Sequence, residues 1–177
     1  MKKLILIAIV ALMPTLFYAQ TAFDKFDGQD DVTAVVVNKK MFKMMGEVKN
    51  KESQQYLNLI KKLDNLKVFT TQSTRVTSEM KVTAEKYIKS AGLEELMRVT
   101  EKGQNIKILV KSGASETQVK ELLMFIEGSG KNETVLMSLT GDFDLNDISL
   151  LTDKMNLPGG DDLKKATKGS KGPKGGK

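Results

Sequence analysis

The chain has 177 residues, with 28 Lys and Arg against 22 Asp and Glu and neither His nor Cys. Without those two side chains there is no Ser-His-Asp or Cys-His nucleophile, no imidazole proton shuttle, no ordinary zinc site and no disulfide, so most hydrolase designs are excluded and stability rests on packing. The net charge of +6 is carried by the ends: Lys2 and Lys3 open the chain and six lysines occupy 164–177, which leaves 20 basic against 20 acidic residues in 20–160, and with only Arg75 and Arg98 no nucleic-acid-binding face is expected.

Lys2 and Lys3 precede an apolar run from Leu4 to Tyr18, and Ala19 stands before Gln20. A cationic start, an apolar middle and a small residue before a polar one predict a secretory signal peptide over 1–19, too short to serve comfortably as a permanent transmembrane helix. Export into the periplasm or medium of a Gram-negative bacterium is the expectation, and the lack of Cys excludes a lipoprotein anchor. The mature chain of 158 residues suits one domain, 20–160.

After a polar, acidic lead-in over 21–31, the β-branched run 32–37 predicts a strand. Residues 39–48 predict a helix, with Met41, Met44, Met45 and Val48 at helical spacing. A second helix is expected over 52–63, with Tyr56, Leu59, Ile60 and Leu63 on one side, then a short strand over 65–71. Residues 73–90 predict a third helix with Met80, Ala84, Tyr87 and Ile88 as its stripe and Gly92 as its stop. From Leu93 the period changes to two. Strands over 93–100, 105–111, 118–127 and 133–140, joined by short glycine-containing turns, predict an antiparallel meander. Leu122, Met124 and Ile126 share one face of it, as do Val135, Met137 and Leu139. A helix marked by Leu145, Ile148, Leu151, Thr152 and Met155 closes the domain. The fold class is therefore α+β: an antiparallel sheet, with a four-strand C-terminal meander and one or two earlier strands, packed with about four helices. Residues 161–177, rich in Lys and Gly, are expected to be disordered.

Three groups of residues are candidate sites. Met41, Met44 and Met45 offer thioethers, which suit Cu(I), although the same spacing describes an ordinary core face. Asp142, Asp144, Asn146 and Asp153 partly match a calcium loop, but Asp147 stands where the sharp turn needs Gly and the last ligand is Asp instead of Glu; a helix cap explains them more simply. Lys164, Lys165, Lys168, Lys171, Lys174 and Lys177 would attract an anionic polymer or surface through a salt-sensitive interaction. The run 128–131 is a hairpin turn and lacks the spacing of a phosphate loop.

The strand and helix in Val32-Thr33-Ala34-Val35-Val36-Val37-Asn38-Lys39-Lys40-Met41-Phe42, the strand 122–127, and above all the strand ending in Thr140-Gly141-Asp142-Phe143-Asp144-Leu145 resemble the small exported Bacteroidetes proteins grouped as domain of unknown function 4252. The resemblance spans about 23–155. It implies the compartment and a single domain, and it supplies no catalytic residues, cofactor or partner. The expectation is a non-enzymatic, cofactor-free interaction protein of the cell envelope that meets an envelope protein or an anionic surface polymer. Alternatives are a metal-buffering protein, a carrier of a small apolar ligand, and an envelope regulator.

Overall fold

A computed structural model describes residues 22–47, 53–101, 103–129 and 133–169. The expected signal peptide and the end of the tail, 170–177, lie outside the described residues, as do Val48 and Glu52 of the expected helices. The chain runs through a 3-10 turn (Asp24–Phe26), β1 (Thr33–Asn38), α1 (Lys39–Glu47), α2 (Gln54–Lys61), β2 (Leu63–Thr71) and α3 (Thr74–Ala91). It continues with β3 (Glu94–Glu101), β4 (Gln104–Ser112), β5 (Gln118–Ser129), β6 (Glu133–Asp144), a second 3-10 turn (Leu145–Asp147), α4 (Ile148–Met155) and α5 (Gly160–Gly169). The α+β class is as expected: among the described residues, one six-stranded antiparallel sheet in the order β1-β2-β6-β5-β4-β3 is packed with five helices.

Period-two alternation assigns each strand residue to a face. Leu122, Met124 and Ile126 of β5 stand opposite Leu139, Met137 and Val135 of β6, and together with Leu66, Val68, Ile106, Ile108 and Val110 they form the larger core. Over this face lie Phe42 of α1, Tyr56, Leu59 and Ile60 of α2, and Ile148 and Leu151 of α4. Each helix is set by local chemistry. Asn38 Oδ1 accepts from the Met41 amide at 3.0 Å, so β1 passes into α1 without a loop, and Ser53 Oγ caps α2 at the Tyr56 amide, 3.3 Å away.

The opposite face carries Phe69, Leu109, Leu123, Phe125 and Leu136, covered by Val76, Met80, Ala84 and Tyr87 of α3. Gly92, at φ +66°, ends α3, and the Leu93 amide reaches back to the Ile88 carbonyl at 3.3 Å, tucking Leu93 onto the core. The helices therefore cover both faces.

Two departures concern the ends of the domain. The acidic lead-in is part of the second layer, because Phe23 and Phe26 are buried, with ring centroids 5.0 Å from Tyr87 and 5.9 Å from Phe69. Asp24 pairs with Lys67, which is buried on the sheet. The chain expected to lose order from Asp161 instead forms α5 over Gly160–Gly169: Leu163 is fully buried in the larger core, and Asp161 and Asp162 stand in the first turn, where the helix dipole favours acids. One apolar side chain suffices here because α5 needs to hold only one face against a core that already exists.

Candidate interaction surface

An antiparallel sheet has two edges, each with a row of backbone donors and acceptors that no strand pairs. Among the described residues they are β3 and β1, and their chemistry differs. β3 reads EELMRVTE, carries Glu94, Glu95, Arg98 and Glu101, and is bulged between Glu95 and Met97. Charges and bulges are the devices by which sheet edges resist pairing with another chain. β1 reads TAVVVN, with no charge and no proline, and its six residues pair with β2 in unbroken register from Thr33 opposite Thr70 to Asn38 opposite Asn65. Val35 and Val36 remain 46% and 47% exposed.

α1 extends the apolar surface. Met41 and Met44 are 49% and 54% exposed, Met45 packs partly against the core, and Phe42 and Gly46 face inward. The expected common face of Met41, Met44 and Met45 is thus corrected. The buried stripe is Phe42, Met45 and Gly46, one residue around the helix, with the Lys61 stem packed so closely on Gly46 that a Cβ there would meet it at 3.1 Å. In place of a three-thioether cluster, Met41 and Met44 are exposed on α1, and Val35 and Val36 are exposed on the two opposite faces of the edge strand.

The acidic turn is held by its own neighbours. Asp144 Oδ1 accepts from the Asn146 amide at 2.8 Å and Asp144 Oδ2 from Thr117 Oγ1 at 2.8 Å, which holds its carboxyl below the usual range despite partial burial. Asp142 pairs with Lys120 at 2.6 Å and Asp153 with Lys164. Among the described residues no group of three or more acidic side chains is placed to hold a metal ion. Of the lysine tail, Lys164 is engaged by Asp153, which raises its pKa, and Lys165 and Lys168 fall within α5; Lys171, Lys174 and Lys177 lie outside the described residues. Among the described residues no helix is long and apolar enough to cross a membrane.

Sequence reasoning missed one buried polar pair. Glu121 of β5 is 3% exposed between sheet and α3, and Tyr87 donates to it, with Oη 2.7 Å from Oε2 and 2.9 Å from Oε1; Ser138 Oγ lies 3.5 Å from Oε1. Burial pushes the Glu121 carboxyl up, and the bond from Tyr87, the Lys111 charge and Ser138 pull it partly back. Burial also raises the Tyr87 phenol, reinforced by the Glu121 charge. The signal was present in the alternation: Glu121 shares a face with Leu123 and Phe125. A groove of about 650 Å³ runs outside the pair, between α3 and the first 3-10 turn, lined by Lys25, Glu79, Val82, Lys86 and the Tyr87 ring. It is open and flanked by charges, unlike an enclosed pocket for an apolar ligand.

No curated protein and no solved structure matches the chain. The model of the family described as Domain of unknown function (DUF4252) matches residues 25–151, well over half of the chain, and the protein belongs to that family.

Proposed function

We propose that this is an exported, non-enzymatic interaction protein of the bacterial cell envelope whose working surface is the β1 edge with Met41 and Met44. The carrying observation is the contrast between the two edges: β3 is charged and bulged, whereas β1 is apolar, regular and exposed. Strand addition to an open edge is a general mode of recognition in which backbone bonds supply affinity and exposed side chains supply specificity. The signal-like segment 1–19 supports export, and the absence of His and Cys from the chain supports a role other than catalysis.

Capture from cell-envelope extracts tests the reading, with the chain from Gln20 compared with its Val35→Lys variant at low and high salt. A discrete partner held by the parent at high salt and lost by V35K is the expected result. Equal capture by both refutes the assignment of the edge. A third version ending at Gly169 separates the terminal lysines from the fold, since cutting earlier removes the buried Leu163.

A further inference from the structure

The sequence across the open edge is Asp30-Asp31-Val32-Thr33-Ala34-Val35-Val36-Val37-Asn38-Lys39-Lys40. Two acids, seven uncharged residues and two lysines make a segment that is charge-complementary to its own reverse. We infer that β1 pairs antiparallel with β1 of a second copy of this chain, about a two-fold axis at Val35. This rests on the reading of β1 as the working surface and names its occupant.

In that register Val35 faces Val35, Ala34 faces Val36 and Thr33 faces Val37, and the turn that carries Asp30 and Asp31 in one copy comes to the end of the ladder where α1 of the other opens with Lys39 and Lys40. Residues opposite one another then belong to the same sheet face, so the axis stands perpendicular to the sheet and the two six-stranded sheets join into one, core side to core side. α1 lies over the face that Val35 shares with Val68, so the two α1 helices stand on the same side of the joined sheet. An antiparallel arrangement brings the acids of each copy toward the lysines of the other, whereas a parallel arrangement sets acid beside acid. Charge therefore selects the antiparallel direction of pairing over the parallel one. Asp31 and Lys39 already have partners within the chain, Arg75 at 3.7 Å and Asp64 at 2.5 Å. The selection consequently falls chiefly on Asp30 and Lys40, both exposed. Symmetric pairing of one patch with itself is the commonest way soluble chains associate.

The test is the mass in solution of the chain from Gln20, measured by sedimentation equilibrium over a range of concentrations. A dimer is expected, with V35K shifting it to monomer at unchanged circular dichroism, because the substitution puts Lys against Lys on the axis. D30K and K40D each weaken the dimer by about tenfold, the scale of two lost exposed ion pairs, and an equimolar mixture of the two restores it by forming the heterodimer. These positions are exposed, so the charge exchange decides the matter even if V35K fails to fold. A monomeric parent at every concentration overturns the inference, as does a dimer indifferent to V35K, or a mixture no tighter than its components. If the parent is monomeric yet V35K still loses a captured envelope protein, self-pairing falls while the edge reading stands; if V35K alters neither mass nor capture, both fall.

Discussion

Tyr87→Phe isolates the buried pair. In the parent, the Glu121 carboxylate is 3% exposed and takes its two shortest side-chain bonds from one hydroxyl, at 2.7 and 2.9 Å, with Ser138 no nearer than 3.5 Å. Removing that hydroxyl leaves the buried charge short of its main donor. The scale for a hydrogen bond to a charged group gives a loss of about 2 kcal/mol at neutral pH, or roughly 4–8 °C in melting temperature for a domain of this size. The pH dependence makes the prediction specific. Burial, the largest cause, raises the Glu121 carboxyl above its ordinary 4.5, so the native state binds the proton more tightly than the unfolded chain. The stability this contributes is full below 4.5 and is lost as pH rises through the raised native value. Tyr87→Phe removes one of the pulls that oppose the rise, so the native value climbs further and the cost of the substitution shrinks on acidification, as the carboxyl becomes neutral. Glu121→Gln removes the titration and reduces the cost of Tyr87→Phe to about 1 kcal/mol, that of a neutral bond. Denaturant unfolding of the four members of the cycle, at neutral pH and near pH 4.5, measures this directly. A cost of Tyr87→Phe that is the same in both backgrounds and at both pH values would refute the account of Glu121 as a buried charge held by Tyr87.

Three further substitutions test the packing. Phe26→Ala, at a side chain fully buried against Phe69, costs about 3–5 kcal/mol in denaturant unfolding if the acidic lead-in belongs to the domain, and almost nothing if it is only a leader. Leu163→Ala costs about 2–5 kcal/mol if α5 closes the larger core, and a chain ending at Leu157 shows at least the same loss. Gly141→Ala places a Cβ 2.4 Å from the Lys62 carbonyl oxygen, which already accepts the Asp142 amide at 3.0 Å, so β6 and the start of β2 must separate; a loss of about 1–3 kcal/mol is expected, with weakened amide protection at Asp142.

The meander was legible because its strands alternate cleanly and their turns are short, and α3 because Val76, Met80, Ala84 and Tyr87 fall on one stripe ended by Gly92. Where several stripes fit one helix, periodicity does not choose. In α1 the apolar residues at 41, 42, 44 and 45 allow two faces, and the one taken puts Phe42 in the larger core and Gly46 against the Lys61 stem, contacts between separate elements. Phe23 and Phe26 are too few to form a pattern amid acids, yet each buries about 150–250 Å² once a sheet is there to receive it. Leu163 is the same case at the other end. Glu121 was readable as a charge on an apolar face, but its partner Tyr87 lies 34 residues earlier on another element, and no local rule links them. The layering was not readable at all, since the order of strands and helices leaves open which face each helix takes.

Valine on an exposed strand is weak evidence by itself, because β-branched residues favour strands whether or not anything binds them. The edge reading gains force from what surrounds the valines. A chain whose 20–160 segment carries 20 basic and 20 acidic residues has ample charge to guard both sheet edges. It sets four charged residues on β3 and none on β1, and places two acids and two lysines immediately beyond the ends of β1. A guarded edge would carry those charges on the strand, where they block the approach of another backbone. Placed at its ends with opposite signs, they leave the backbone accessible and make an antiparallel partner of like sequence better matched than a parallel one. The charge pattern thus discriminates between an edge merely left open and an edge shaped for a second copy, which is why exchange of Asp30 and Lys40 is a sharper test than removal of the valines.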